Sequence, residues 1–366
     1  SMTLVALSLA SSQLGPRLLR NFMRDTANQV VLGTFVATFV YCLLVLRTIR
    51  RADEVAFVPH LAVSIGVLLA MVSIGVLIYF IHHVSVSIQA DEVVARVGRE
   101  LEDGIDRLFP GHLGKPGSEV SKAPSEPDLP AAFAREARPV GALEDGYLQL
   151  IDADALMALA ADEDLLLRLE RRPGHYLVKG RAMVMVWPGD RVTEPLVEKM
   201  NAAFVIGNQR TAAQDVEFSF HQLVEIAVRA LSPGINDPFT AIACVDRLGS
   251  GLCRLARRDM PSALRFDPRG RVRLVAPGPT FAAIVDAAFN QIRQSARSNP
   301  AVAIRMLDAI VQIAGHVQRA ADAACLQRHA GMIVRGAREA VPEADDQLAV
   351  EVAFMAATQA LHVFPD

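Results

Sequence analysis

The chain has 366 residues, of which 52% are hydrophobic and only 21% are charged, and its mean hydropathy is +0.28. This composition is too apolar for an ordinary soluble protein of this length, so part of the chain is expected in a lipid bilayer. The formal net charge of -3 provides no overall basic field, and a nucleic-acid partner is therefore not expected.

The first 25 residues form a predicted membrane-proximal segment. Ser1 before Met2 is typical of a cleaved expression tag, so Ser1 is left out of the interpretation. The apolar run at residues 3–12 (TLVALSLASS) is too short to span a bilayer. We expect this run to be the end of a membrane segment that begins outside the chain.

A hairpin of two transmembrane helices is predicted within residues 26–108. Residues 30–46 (VVLGTFVATFVYCLLVL) and 58–81 (VPHLAVSIGVLLAMVSIGVLIYFI) contain no charged residue, and each can cross ~30 Å of hydrocarbon at ~1.5 Å per helical residue. The short charged loop between them favours a membrane hairpin over two buried core helices. A secretory signal is disfavoured, because the apolar region of a signal peptide is shorter than these runs and is not followed by a second span. A helical extension is expected over residues 91–108.

The arginine distribution predicts the orientation of this hairpin. The connection between the spans carries Arg47, Arg50 and Arg51, whereas the outer flanks carry Arg17, Arg20, Arg24, Arg96, Arg99 and Arg107. Cytoplasmic flanks are enriched in Lys and Arg, so the flanks and the whole C-terminal region are expected in the cytoplasm, at the bacterial inner membrane. The 4 cysteines show no paired spacing, which indicates neither a disulfide framework nor a CxxC zinc site.

Polar side chains within the spans are candidates for a pathway. Thr34, Thr38 and Tyr41 lie along one face of the first span, where they could line a narrow path or hydrogen-bond a neighbouring helix. The second span has a small-residue face suited to close helix packing, formed by Ala62, Gly66, Ala70 and Ser73. Because two spans cannot enclose a pore, a pathway requires a homo-oligomer.

Three further regions are predicted after the hairpin. Residues 109–138 have the Pro, Gly and Ser content of a linker, and residues 139–192 show the strand-like alternation of a small β-barrel or sandwich. Residues 193–366 are mainly α-helical, with predicted helices at 217–231, 239–257, 281–298, 301–328 and 345–362 and one β-hairpin at 265–275. No lysine lies in a lipoyl or biotin context, so no cofactor is expected.

A corner between two helices is the most distinctive motif. In ALSPGINDPFTA (230–241), Ser232 and Gly234 follow one helix, and Asn236 and Asp237 precede the next. Asp237 suits an N-cap and Pro238 the first helical position, which supports a purely structural corner. The alternative interpretation is an anion or ligand site at the helix N-terminus.

A polar stripe precedes that corner. Glu217, His221, Glu225 and Arg229 recur every four residues, so they share one helix face. Glu217, His221 and Glu225 are candidate metal ligands. A solvated face with two ion pairs explains the same pattern.

The corner and the membrane segments also carry a family resemblance. FHQLVEIAVRALSPGINDPFTAIACVDRL (220–248) and LVALSLASSQLGPRLLRNFMRDTANQVVLGTFVATFVYCLLVLRTIR (4–50) resemble a bacterial family of predicted membrane proteins classified as a domain of unknown function. YLQLIDADAL and RRPGHYLVKG fit it as well. The resemblance implies a multi-pass inner-membrane protein with a cytoplasmic C-terminal domain and additional N-terminal membrane segments, and it brings no activity.

The expected fold is therefore a membrane α-helical hairpin plus an α+β cytoplasmic region, a small β-barrel or sandwich followed by an all-α domain. The first functional hypothesis is a homo-oligomeric, channel-like or transport-related assembly in the lipid bilayer, acting on an ion or small solute. The second is a membrane-anchored scaffold or sensor module, and the third a metal-dependent enzyme. No P-loop, GxSxG, HExxH or Rossmann motif is present, so no catalytic residue is assigned.

Overall fold

The computed structural model describes residues 26–48, 50–52, 55–57, 59–87, 90–109 and 129–362. The membrane-proximal segment 1–25 and most of the predicted linker lie outside these residues. The chain divides into two compact units, one comprising Ser1–Ala95 and Pro233–Ile235 and the other Arg96–Ser232 and Asn236–Asp366.

The first unit contains a helical hairpin. Helices α1 (Thr26–Thr48) and α2 (His60–Ser87) are joined by the short antiparallel strands β1 (Arg50–Ala52) and β2 (Val55–Phe57). Within α1 and α2, Gln29–Thr48 and His60–His82 are long and apolar enough to cross a membrane. Only 6% of the most apolar part of each is buried, so these two helices are not the core of a globular fold. This burial disfavours the alternative of two buried core helices.

Helix α3 (Ala90–Leu108) corresponds to the predicted helical extension. From Arg96 onward it belongs to the second unit, where Leu101 and Ile105 are fully buried. A Cβ built on Gly251 would lie 2.8 Å from Leu101 Cδ2, so the glycine permits this close approach. The extension is thus part of the core of the second unit.

The middle of the second unit is mixed α/β. Its elements are α4 (Phe133–Glu136), β3 (Arg138–Gly141), β4 (Gly146–Ile151), α5 (Ala153–Asp162), β5 (Leu166–Leu169), β6 (Tyr176–Leu177), β7 (Ala182–Trp187), α6 (Glu194–Ala202) and β8 (Phe204–Gly207). One sheet has the order β6-β4-β8 and is antiparallel. A second sheet, of five strands, contains Leu167 and Leu274. Its apolar residues meet those of the first sheet, such as Leu148, in one buried cluster. The barrel or sandwich arrangement stays a prediction.

The predicted hairpin at 265–275 completes the second sheet. Strands β9 (Leu264–Phe266) and β10 (Val272–Val275) extend it to the order β3-β7-β5-β10-β9. Strand β10 pairs in parallel with β5, with Leu274 opposite Leu167, while the other pairs are antiparallel. A segment that the sequence assigned to the helical region is therefore part of the middle sheet.

The remaining part of the unit is helical. Its helices are α7 (Val216–Ala230), α8 (Pro238–Ala256), α9 (Phe281–Ser295), α10 (Pro300–Ala314), α11 (Ala320–Ala340) and α12 (Ala344–Leu361). Side chains of Asp215, Asp237, Thr280 and Asn299 cap four of them at the N-terminus. The single helix predicted over 301–328 is wrong, because α10 ends with Gly315 as its C-cap and a new helix begins at Ala320.

Candidate functional site

The polar residues of the first span contact the hairpin itself. Thr38 Oγ1 lies 3.0 Å from Ser73 Oγ, and the Tyr41 hydroxyl donates to the Ala62 carbonyl oxygen at 3.0 Å. The Thr34 hydroxyl donates to the Val30 carbonyl of its own helix at 2.9 Å. Thr38 and Tyr41 thus hydrogen-bond a neighbouring helix, one of the two uses that the sequence left open. Their lining of a pathway stays a prediction.

The SPGINDP corner has a well-defined backbone. The Asn236 amide donates to the Ser232 carbonyl at 2.9 Å, and the Asp237 amide donates to the Ala230 carbonyl at 2.8 Å. Asn236 has φ +50, a left-handed conformation that Asn tolerates better than most residues. Gly234 is exposed, and a Cβ there would meet nothing within 4 Å. The corner is therefore defined by these two backbone hydrogen bonds and by the left-handed conformation of Asn236.

Asp237 uses both carboxylate oxygens at the start of α8. Oδ1 accepts from the Thr240 amide at 3.1 Å, and Oδ2 accepts from the Thr240 hydroxyl at 2.5 Å. An anion at this helix N-terminus would compete with the Asp237 carboxylate. These contacts support the structural interpretation of Asp237, and the ligand role of the corner stays a prediction. Phe239, in the first turn of α8, is 81% exposed.

The predicted metal stripe on α7 lies among arginines. Arg172 donates to Glu217 Oε1 at 2.8 Å, and Arg210 Nη1 lies 2.8 Å from His221 Nδ1. Glu225 lies 3.8 Å from the Arg229 guanidinium, one turn along the helix. The stripe thus takes part in two ion pairs, a partly buried one between Glu217 and Arg172 of a preceding loop and one between Glu225 and Arg229 of the same helix. Metal binding by Glu217, His221 and Glu225 stays a prediction.

Residues that the sequence did not single out complete this region. Arg210 also donates to Asp215 Oδ2 at 2.8 Å, and Asp215 caps α7 by accepting from the Phe218 amide at 3.2 Å. Burial raises the pKa of Asp215, while the Arg210 guanidinium opposes this shift. Gly174 has φ +93, and a Cβ there would overlap Asp215 Oδ2. In the sequence, the Pro-Gly pair at 173–174 indicates a turn here but not its contact with Asp215.

His175 belongs to the same cluster. Its Nε2 accepts from Arg172 Nε at 3.2 Å. Burial, reinforced by the positive charge of Arg172, lowers the pKa of His175, so the ring is neutral at pH 7. A cluster of five side chains therefore connects the loop before β6 to the start of α7: Arg172, His175, Arg210, Asp215 and Glu217.

Comparisons with known proteins agree with the membrane hairpin. A family model described as "Predicted membrane protein (DUF2254)" matches residues 1–312. Uncharacterized proteins of Mycobacterium bovis and Mycobacterium tuberculosis are 33% identical over 368 residues, which cover 98% of this chain and 68% of each relative. No solved structure matches significantly. The chain therefore belongs to the family of predicted membrane proteins described as DUF2254.

Proposed function

We propose that this protein is a membrane-anchored binding module, in which the hairpin is the anchor and the second unit binds a partner. The observation that carries the proposal is the hydrogen bonding of Thr38 and Tyr41 to α2. Polar groups within hydrocarbon need partners, and both of these hydroxyl groups find theirs on α2. This hydrogen bonding favours a role in joining the two helices over a role in lining a pathway.

The outer surface of the hairpin supports an anchoring role. Large apolar side chains are exposed around both spans, and they include Val36, Phe39, Leu43, Leu68, Met71, Val72 and Ile78. A surface of this kind suits lipid, whereas a water-filled path needs a polar lining. The inner-membrane location and the cytoplasmic position of the second unit are part of this proposal.

Phe239 is the proposed contact residue of the module. Its ring is exposed, and the Asp237 cap holds the helix turn that carries it. Exposed aromatic residues on a rigid element are typical anchors of protein interfaces, because little conformational entropy is lost when they are buried. A partner protein is therefore the ligand class that this surface fits.

The test of anchoring uses the full chain in liposomes. We expect efflux of potassium, chloride and protons to equal that of empty liposomes. Flux that a thiol reagent blocks in Thr38→Cys, but not in the unsubstituted protein, would overturn the proposal and support a pore lined by α1.

The test of binding uses a photoreactive amino acid in place of Phe239, in bacterial membranes. A discrete cross-linked partner is expected at this position and not at the exposed control position Leu143. Equal adducts at both positions, or none at 239 in folded protein, would contradict a binding role for this surface.

A homo-oligomeric, channel-like assembly is the second candidate. The outer face of helix α12 supports the self-association that this candidate requires. Leu348, Val352 and Met355 are exposed and lie on one face of α12, opposite the buried Val350, Ala357 and Leu361. A helix that is apolar on both faces is normally covered on both. Because α12 contains three acidic residues and no Lys or Arg, its outer face fits a second copy of the chain better than an anionic lipid surface.

A further inference from the structure

A second cluster of polar side chains lies between two helices, away from the α7 stripe. We define the Asp-Cys-His cluster as Asp286 of α9 with Cys325 and His329 of α11. One potential ligand atom from each residue lies within 4.8 Å of the other two. Cys325 and His329 are buried, and Asp286 is partly exposed. The cluster is therefore preformed and accessible from one side.

The donor set matches a known preference of metal ions. Thiolate, imidazole and carboxylate are together the ligands that Zn²⁺ takes, usually in tetrahedral coordination. Cys325 and His329 are four residues apart on one helix, so they share a face, and Asp286 comes from a facing helix. Two ligands from one helix turn and a carboxylate from another element would leave the fourth position for water.

We propose that Asp286, Cys325 and His329 bind a zinc-class divalent transition metal ion. The site is distinct from the α7 stripe and is independent of the proposed anchoring function. Its donors come from α9 and α11, so the bound ion would also link these two helices.

The His329 ring is oriented by its contacts with Asp286 and Phe289. Its Nε2 lies 2.7 Å from Asp286 Oδ1, and its edge-on contact with Phe289 restricts the ring orientation. Its Nδ1 is buried, and no hydrogen-bond partner for it exists among the described residues. Because Nε2 is the nitrogen that faces Asp286, an ion held between Asp286 and His329 would bind the ring through Nε2.

Arg328 acts as a competing cation at this cluster. Its Nη2 donates to Asp286 Oδ1 at 2.5 Å and lies 3.7 Å from Cys325 Sγ. The Arg328 side chain is 49% exposed, so it can swing into solvent when an ion arrives. Arg293 adds positive charge near His329, and Asp322 adds negative charge near Cys325. Metal binding would break the ion pair between Arg328 and Asp286. It would also release the thiol proton of Cys325 to solvent, and no oxidation state would change.

The test is a metal titration of the full chain after chelator treatment. Zinc competition against a chromophoric chelator should give one site per chain, and Co²⁺ should give the thiolate-to-cobalt charge-transfer absorption of a cysteine ligand. Cys325→Ser should abolish that absorption and weaken zinc binding by about tenfold or more. The matched control is Cys253→Ser, since Cys253 is a partly buried thiol of α8 outside the cluster, and it should change neither.

Arg328→Met separates a metal site from a simple ion pair. If Arg328 competes with the ion, this variant should bind zinc several-fold more tightly than the unsubstituted protein. If Cys325→Ser does not fold, Asp286→Asn provides the loss-of-ligand variant at a partly exposed position, and it should also weaken zinc binding. Folded protein that binds no stoichiometric zinc, with or without Arg328→Met, would overturn the proposal.

Discussion

At the scale of single residues, Asp267 shows how one carboxylate organises the β9–β10 hairpin. It accepts hydrogen bonds from the backbone amides of Arg269 and Arg271 at 2.9 Å each, and from Arg273 Nε at 3.0 Å. Arg273 is buried and also donates to Asp164 at 2.7 Å and to the Leu165 carbonyl at 3.2 Å. The hairpin is therefore tied to the segment that leads into β5.

These contacts predict a pH dependence. The backbone hydrogen bond from Arg271, assisted by the side-chain hydrogen bond from Arg273 and the backbone hydrogen bond from Arg269, lowers the pKa of Asp267 to about 2. A carboxylate whose pKa is lower in the folded than in the unfolded chain stabilises the folded state. This stabilisation is fully present at pH values above the unfolded pKa of about 3.9. That contribution is lost as the pH falls through about 2.

Asp267→Asn tests this dependence by urea unfolding between pH 2 and pH 6. We expect the variant to be less stable than the unsubstituted protein at pH 6, and the difference to shrink steadily below about pH 4. Asp259→Asn is the control, because Asp259 is exposed and lies outside this hydrogen-bond network. A difference that does not vary with pH would contradict the argument.

At the scale of elements, two helix contacts depend on particular side chains. In the hairpin, α1 and α2 are joined by the Thr38–Ser73 and Tyr41–Ala62 hydrogen bonds, and a Cβ on Gly66 would lie 3.6 Å from the Tyr41 ring. In the second unit, α3 meets α8 where Gly251 faces Leu101 and Ile105. Arg254 adds ion pairs to Glu102 and Asp106 across that contact.

Thr38→Val should weaken the hairpin because it removes the hydrogen bond to Ser73. Interhelical hydrogen bonds in membranes contribute on average about 0.6 kcal/mol, so a loss of this size is expected in denaturation from mixed micelles. Thr34→Val is the matched control, since the Thr34 hydroxyl bonds its own helix. Equal effects of the two variants would show that Thr38 does not join the helices.

Gly251→Val should separate α3 from α8, because its side chain would overlap the fully buried Leu101. Overpacking of this kind costs about 1–3 kcal/mol in the free energy of unfolding. Gly104→Ala, in α3, is the control: a Cβ there meets nothing within 4 Å, and alanine favours a helix. It should be neutral or stabilising, and a loss equal to that of Gly251→Val would contradict close packing as the cause.

At the scale of the whole molecule, the apolar surfaces divide into two kinds. Those of α1 and α2 lie on the candidate spans and suit lipid. The outer face of α12 belongs to the second unit and carries acidic rather than basic flanking residues. This second surface is the one for which self-association is proposed.

Val352→Asp tests self-association by placing a charge in the middle of the α12 stripe. In a twofold contact both copies carry the change, so two charges would be buried and the oligomer should dissociate. The measurement is the mass of the detergent-solubilised protein by light scattering. Leu143→Asp, at an exposed apolar position in the middle region, should leave the mass unchanged. An unaltered mass for Val352→Asp, or a monomeric unsubstituted protein, would exclude this interface.

The hairpin, most helix boundaries and the SPGINDP corner could be predicted from the amino-acid sequence. These features depend on local signals: long apolar runs, three- and four-residue periodicity, and capping residues such as Asp237 and Asn299. The break between α10 and α11 was missed because the apolar periodicity continues through it.

The tertiary structure shows which distant residues meet. It pairs β10 with β5, brings Arg172 to Glu217 across 45 positions, and brings Asp286 to His329 across 43. The sequence selected Glu217, His221 and Glu225 as metal ligands because they share a helix face, whereas the Asp-Cys-His cluster draws its donors from two helices. Helical spacing reports neighbours on one face of a helix, and contacts between helices depend on how their apolar surfaces pack.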